Sequence, residues 1–430
     1  MSKKIEGIIV LLLFCFSLAV AGDSINETSI DQSMLDEEYP SDLDTLEEFI
    51  QSYYLLMDSD QYLNQFSFLD TEHNSLENDT VALAGFYQKL VALRSGLRDR
   101  VSIFQIGDSH IQSGYLAGTA RSNLQEHFGN AGRGLTFPLR LAGTNQPDDY
   151  RFSSSSSWRR IDSFGLSGYS ITTGGSGNLS IRTNDFFGIE STHDRISLLT
   201  SGGPIRLSWN GSEARREAVA GFDNLNRHEL ALTGPQAQID LNLELLEGSA
   251  PLTLQGMILE RSQPGLLYHS TGVNGASFRS YAANPEFFRQ ITALQADLII
   301  VSLGTNDAQG NYRAVNFRSE MSAFMTALRR ELPDTPVLFT LAPDTNKRGR
   351  TNGDVYNVNN EIKRYAELND CAWWDLASLM GGRGSVRQWK SRALAANDYI
   401  HFSPKGYMLQ GYLLYQAILK SYNTHTENPR

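Results

Sequence analysis

Ser109, Asp398 and His401 are the residues of this sequence whose types could together run acyl transfer. Ser109 comes after an apolar run, Val101 to Ile106, that stops at Gly107-Asp108. A buried strand ending in a glycine turn is one way to expose a nucleophilic hydroxyl at a sheet edge. Gly-Asp-Ser alone is ordinary turn chemistry. Three later blocks, in the right order, give it weight: Gly272 to Ala276, Gly304-Thr305-Asn306-Asp307, and Asp398-Tyr399-Ile400-His401. Ester cleavage by serine needs a base, a group that orients the base, and donors for the developing oxyanion. His401 is the candidate base, and Asp398, three residues earlier, can turn back to fix its tautomer. The candidate donors are the backbone N–H of Ser109, a backbone N–H of Gly272-Val273-Asn274-Gly275, and the side-chain amide of Asn306. Gly272 and Gly275 are both open for that donor, and either could simply relieve a tight turn. Asp108, His110 and Asn274 adjoin these residues and are candidate substrate contacts; His110 could equally brace the turn. The remaining histidines show no ligand spacing, so no metal and no cofactor is expected.

The elements that must hold these residues are legible from periodicity. Leu83, Phe86, Leu90, Leu93 and Leu97 recur at helical spacing and predict a helix over 81–97 leading into the strand at Val101. A second helix is expected over Tyr115 to Phe128, and a third over Val315 to Leu332. Short apolar runs at 266–269, 298–303, 337–341 and 371–376 read as strands. Strands alternating with helices imply a parallel sheet covered on both faces. Ligands of such sheets bind outside the carboxyl ends of the strands, where Ser109 and Asn306 both fall. Ser403 is a good N-cap and Pro404 suits the first helical turn, so His401 sits on a short loop just before a helix.

From about Asn145 to Gly256 the composition shifts to Gly, Ser, Thr and Asn, and apolar residues alternate. Ile239, Leu241, Leu243 and Leu245 give the half-buried strand pattern, as do Leu179 with Ile181, and Ile205, Leu207 and Trp209. Gly174-Gly175, Gly202-Gly203 and Asn210-Gly211 supply turns. This stretch reads as a β-sandwich or jelly-roll unit. Its Trp158 and Trp209 could stack on sugar rings, but core packing is the preferred role.

The chain has 430 residues and a formal net charge of −11, which excludes an extended nucleic-acid surface. Lys3 and Lys4, the apolar segment Ile8 to Val20, and Ala19-Val20-Ala21 form a secretory signal pattern over residues 1–21. Cys15 lies inside that apolar segment, after Leu13-Phe14, which argues against a lipoprotein signal. Without the signal only Cys371 remains, in an apolar neighbourhood that suits a buried inert thiol. A cleaved signal implies a periplasmic or secreted protein with no transmembrane segment in the mature chain.

The four blocks resemble those of the SGNH (GDSL) hydrolase family, named for catalytic Ser, Gly, Asn and His. Gly107-Asp108-Ser109 matches the first block, Gly275 the second, Gly304-Thr305-Asn306-Asp307 the third, and Asp398 with His401 the last. His110 after the serine, the run Phe128 to Gly134, the β-rich insertion and the signal are similar to bacterial peptidoglycan O-acetylesterases. The resemblance implies a three-layer α/β/α sandwich with a parallel sheet, carrying an inserted β-sandwich or jelly-roll domain. The expected layout is a signal at 1–21, an acidic tether with helices at 22–80, the α/β domain at 81–145 and 257–425, and the insertion at 146–256. The expected function is an exported acetylesterase acting on an O-acetylated polysaccharide, peptidoglycan first. A polysaccharide O-acetyltransferase running the same acyl-serine chemistry is the alternative, and a non-catalytic carbohydrate-binding envelope protein the second; a lipase or thioesterase would want an apolar groove the sequence does not reveal.

Overall fold

The strand that ends at Ser109 is the centre of a six-stranded sheet. The computed structural model describes residues 63–161, 164–219, 225–246 and 251–427. The expected signal at 1–21, and most of the tether with helices expected at 22–80, lie outside them. The sheet strands are β1 (Leu76–Glu77), β2 (Arg100–Gly107), β3 (Gly265–Gly272), β4 (Leu298–Ser302), β5 (Val337–Thr340) and β6 (Ala372–Trp374). Their spatial order is β1-β6-β5-β4-β2-β3. β2 runs parallel to both neighbours, and every residue from Val101 to Gly107 is buried, as expected of a strand covered on both faces. The chain goes outward from β2 to β3 and then returns past β2 to β4. That reversal places the topological switch, the customary ligand crevice, between the carboxyl ends of β2 and β4.

The sheet is mixed, where an all-parallel one was expected. Edge strand β1 pairs antiparallel with β6. At two residues β1 is too short to show a period, and no crossover helix is required to reach an antiparallel edge.

Helices cover the sheet in two groups. Ala84–Arg94, Tyr115–Phe128 and Pro404–Glu427 pack together, and Ala314–Glu331 packs with Gly353–Leu368. The first ends before Leu97, contrary to the periodic expectation. Gly96 takes φ 69, and the N–H of Leu97 donates to Ala92 O, a Schellman stop that leaves Leu97 84% exposed. The helix after His401 starts as expected: Gly406 N–H donates to Ser403 Oγ at 3.1 Å. It crosses the 115–128 helix at Gly411, where a Cβ would lie 2.3 Å from Leu116 O.

Between the two halves of the α/β elements the chain forms two antiparallel sheets. The first has the order Ser212–Glu213, Ile205–Trp209, Gln238–Leu245, Gly177–Thr183, Tyr150–Ser154. The second runs Arg215–Ala218, Asn226–Gln236, His193–Ser201, Leu252–Glu260, Ser170–Thr173, Arg159–Ile161, with Gly134–Thr136 also paired to Leu252–Glu260. Ile239, Leu241 and Leu243 are buried and alternate with exposed neighbours. Asn210 and Gly211 both have positive φ, which suits the tight hairpin turn pairing Trp209 with Ser212. Trp209 is buried in the core, and Trp158 packs against it. One contiguous hydrophobic cluster joins these sheets to β2 and β4, including Leu179, Leu241, Phe104 and Ile299.

A buried ion trio ties the start of the β stretch to the α/β part. Asp149 bonds Arg121 at 2.8 Å and Arg133 at 3.0 Å, all three nearly inaccessible. Burial works against the Asp149 charge, but the two guanidinium groups outweigh it and hold its carboxyl down at about 2. A depressed folded value means that the stabilisation is full above the unfolded-state value of about 4 and is lost as pH falls through the folded one. Asp149→Asn should therefore cost about 3–5 kcal/mol in urea unfolding at neutral pH and flatten the loss of stability between about pH 5 and pH 2.

Candidate active site

Two glycines let the chain turn sharply where β2 ends. Gly107 and Gly272 are register partners on β2 and β3. A Cβ on Gly107 would lie 2.2 Å from Ile111 Cγ1, and one on Gly272 2.1 Å from Gln112 N and 2.5 Å from Asp108 O. The short helix Ser109–Gln112 thus begins directly at the strand end, capped by Asp108, whose Oδ1 accepts from His110 N–H at 3.0 Å. Ser109 occupies its first position, half-buried.

The structure brings Ser109, His401 and Asp398 together across 292 residues of sequence. Ser109 Oγ lies 3.0 Å from His401 Nε2, and His401 Nδ1 lies 2.6 Å from Asp398 Oδ2. Asp398 also accepts the N–H of Ile400 at 2.8 Å and of His401 at 2.9 Å through Oδ1. Spacing by three residues lets one carboxylate hold both the backbone and the ring of His401, with Tyr399 taking φ 59 to close the loop. Burial disfavours the Asp398 charge, yet the bonds from the imidazole and these N–H groups prevail and hold it well below the usual carboxylate range. An ionised Asp398 requires the proton on Nδ1, leaving Nε2 as the acceptor for the Ser109 hydroxyl.

Asn306 and Gly275 follow β4 and β3, the two strands on either side of β2. Asn306, on the helix Thr305–Gln309 after β4, donates through Nδ2 to Asp108 Oδ2 at 3.1 Å and to Ala276 O at 2.9 Å. Gly275 lies between Ala276 and Asn274, whose N–H is held by Gln112 Oε1 at 2.8 Å. It is exposed with φ +75 and open space around it, while Gly272 is walled in by backbone. Among the described residues the N–H groups of Ser109 and Gly275 have no protein acceptor.

The candidate substrate contacts separate by burial. Asp108 is 1% exposed, and burial pushes its carboxyl up to about 7 against the donors from His110 and the charge of His401. His110 is also buried; its Nδ1 meets Tyr407 Oη at 2.9 Å and its ring lies 5.5 Å from that of His401. Burial, then the nearby His401, lowers it to about 3, so it is neutral at working pH. Asn274 is exposed, with Nδ2 donating to Asn145 Oδ1 at 2.8 Å.

Sequence reasoning missed Gln112, the buried hub of the site. Its Oε1 accepts from Tyr169 Oη at 2.9 Å as well as from Asn274 N–H, and its Nε2 donates to Thr144 Oγ1 at 2.8 Å and Asn145 Oδ1 at 2.7 Å. One side chain therefore couples the serine helix, the Gly275 loop and the β stretch. The only signal in the sequence was a polar residue three positions after the serine, on the same helical face.

Residues 253–409 match the GDSL-like lipase/acylhydrolase family. The chain carries a GDSL-like lipase/acylhydrolase domain. With it comes the enzyme class expected from the sequence, an SGNH/GDSL serine hydrolase. The matched segment holds Gly275, Asn306, Asp398 and His401 but not Ser109, which the β stretch separates from it. No curated protein matches the chain. A solved peptidoglycan O-acetylesterase is 23% identical, with a TM-score of 0.64 over 79% of this chain and 96% of that one. That likeness shows a shared fold. An acetyl xylan esterase (15% identity, TM-score 0.30, 36% of this chain and 81% of that one) and a family two carbohydrate esterase from Cellvibrio japonicus (12%, 0.26, 64% and 98%) are far more distant. No helix of the described residues is long and apolar enough to cross a membrane.

Gly272→Ala should lower stability by about 1–3 kcal/mol or more in urea unfolding, since backbone atoms occupy the new methyl's place. Gly275→Ala meets no contact and should cost only the strain of a positive φ, about 1 kcal/mol. Gln112→Ala strands the Tyr169 hydroxyl and the Asn274 N–H and should cost about 1–3 kcal/mol by the same measurement.

Proposed function

We propose that the protein is an exported serine esterase that removes O-acetyl groups from a polysaccharide, peptidoglycan foremost, through an acyl-serine intermediate. The observation that carries this reading is the unbroken chain from Ser109 Oγ through His401 to Asp398, at 3.0 and 2.6 Å. Neutral His401 accepts the Ser109 proton at Nε2 as Oγ attacks the acetyl carbonyl carbon. The N–H groups of Ser109 and Gly275 stand free for the oxyanion. Both hydrogens of Asn306 Nδ2 are engaged in the resting site, so the oxyanion must draw one away from Asp108 or Ala276; such bonds commonly realign when substrate arrives. His401 then returns its proton to the departing sugar oxygen, and water, activated by the same imidazole, releases acetate from Ser109. Buried His110 acts as a neutral brace for the His401 ring, and no metal or cofactor enters the scheme.

The sequence pattern of residues 1–21 supports a cleaved signal, and with it an enzyme of the periplasm or the outside of the cell. The two antiparallel sheets support reading residues 146–256 as an inserted β-sandwich. Through Tyr169 that part reaches Gln112, which Thr144 and Asn145, just before it, also bind, so its first task is to hold the oxyanion loop. The fold shared with a peptidoglycan O-acetylesterase supports the choice of substrate.

Acetate release by the intact chain from O-acetylated peptidoglycan, beside O-acetylated xylan, tests the reading. Release from peptidoglycan, abolished in Ser109→Ala, is expected. Acetyl moved to added glycan with little free acetate would favour a transferase instead. Asn306→Ala should reduce turnover by about 10²–10³, and Asp398→Asn by about 10⁴, through the wrong tautomer of His401. Because Asp398 is held so low, it stays ionised across the working range. It should then add no step of its own to the acid limb of kcat/KM, which should carry the protons of His401 and of Asp108, pushed up to about 7.

A further inference from the structure

A basic hairpin stands at the rim of this site and has no part in the chemistry above. It pairs Asn346–Lys347 with Arg350–Thr351. Its base is fixed to both catalytic elements. Asn346 N–H donates to Tyr399 O at 2.9 Å, inside the loop between Asp398 and His401. Gln309, on the helix that carries Asn306, donates to Asn346 O at 2.8 Å and to Thr345 Oγ1 at 3.2 Å. Lys347 Nζ satisfies Ala308 O at 2.8 Å, Gly310 O at 2.6 Å and the Asp354 carboxylate at 2.9 Å.

The tip is unsatisfied. Arg348 and Gly349 both take positive φ, 52° and 75°, and form the two-residue turn between Lys347 and Arg350. Arg348 and Arg350 are exposed, and neither has an ion pair among the described residues. A cavity of about 460 Å³ opens beside them, lined by Lys347, Arg348, Arg350 and Asp354 among others. The one carboxylate in that lining is already paired with Lys347. Arg383 lies at the same edge, with Nη2 3.2 Å from where a Cβ on Gly353 would be. On a chain of net charge −11, unpaired arginines on a rigid hairpin against the catalytic loop are a local reversal of sign. Guanidinium forks match the geometry of carboxylates.

We propose that this groove binds a carboxylate carried by the acetylated polymer, so that the enzyme selects anionic glycans over neutral ones. The proposal rests on the esterase reading and names the substrate feature that reading leaves open. Arg348 and Arg350 engage the carboxylate while the ester lies over Ser109, and the rigid attachment to Tyr399 and Gln309 fixes the distance between the two.

The test compares the intact wild-type chain with the Arg348→Gln, Arg350→Gln double variant. Substrates are p-nitrophenyl acetate, O-acetylated xylan, O-acetylated polygalacturonate (carboxylates on the sugar) and O-acetylated peptidoglycan (carboxylates on the stem peptide), the last two also with carboxylates amidated. In the variant, kinetics on p-nitrophenyl acetate and xylan should stay within about twofold, while KM on at least one free-carboxylate polymer rises about tenfold, an effect of the size expected for one lost charged contact. The polymer that responds identifies the source of the carboxylate. In the wild type the same KM should rise with salt, and amidation should erase the difference between the two proteins. An unchanged KM on both anionic polymers, or equal effects before and after amidation, overturns the proposal. Calorimetric binding of oligogalacturonate and of peptidoglycan fragments reads the groove without turnover. If the wild type hydrolyses none of the esters, the esterase reading fails. The groove then stands or falls on whether the variant loses about tenfold in affinity for a free-carboxylate fragment.

Discussion

The whole site depends on how closely two strand ends approach the turn that carries the nucleophile. Gly107 and Gly272 face each other at the carboxyl ends of β2 and β3, and neither leaves room for a methyl group. Without side chains there, the chain can pass from a fully buried strand straight into the helix of Ser109. The next loop can lie against that helix closely enough for Gln112 to take the N–H of Asn274. The nucleophile and the loop bearing Gly275 are thus set by close packing at the two glycines and by the Gln112 side chain.

The other half of the site is closed from far away in sequence. His401 arrives on a loop whose rigidity is local, since Asp398 binds two N–H groups and the ring together. The loop itself is placed by the 404–427 helix, seated at Gly411 on the 115–128 helix just beyond Ser109. Tyr407, in the first turn of that later helix, reaches back to His110 beside the serine. The serine and histidine are therefore coupled twice, once through their own hydrogen bond and once through this buried pair. The β stretch joins through Gln112, through the Asp149 ion trio and through a core shared with the central sheet.

Much of this was legible because buried strands and amphipathic helices leave strong periods. The helix at 115–128 and the cap at Ser403 fall where the spacing places them. So does the alternation in 238–245. Leu97 shows the limit of that logic: its spacing continued the helix, but Gly96 at positive φ ended it. The two-residue edge strand β1 carried no period at all. The order of the four blocks pointed to Ser109, Asn306, Asp398 and His401, whereas choosing between Gly272 and Gly275 required knowing which glycine is walled in by backbone. Gln112 and the hairpin at Arg348 were invisible because their meaning lies in contacts between residues dozens or hundreds of positions apart.

The central claim is that Ser109 is a nucleophile activated by His401. Covalent labelling of the folded chain with a fluorophosphonate, coupled to peptide mass mapping, tests it most directly. One adduct is predicted, on Ser109, formed orders of magnitude more slowly in His401→Ala even though that variant keeps its fold. No adduct on folded wild-type protein, an adduct on another residue, or labelling indifferent to His401 would contradict it.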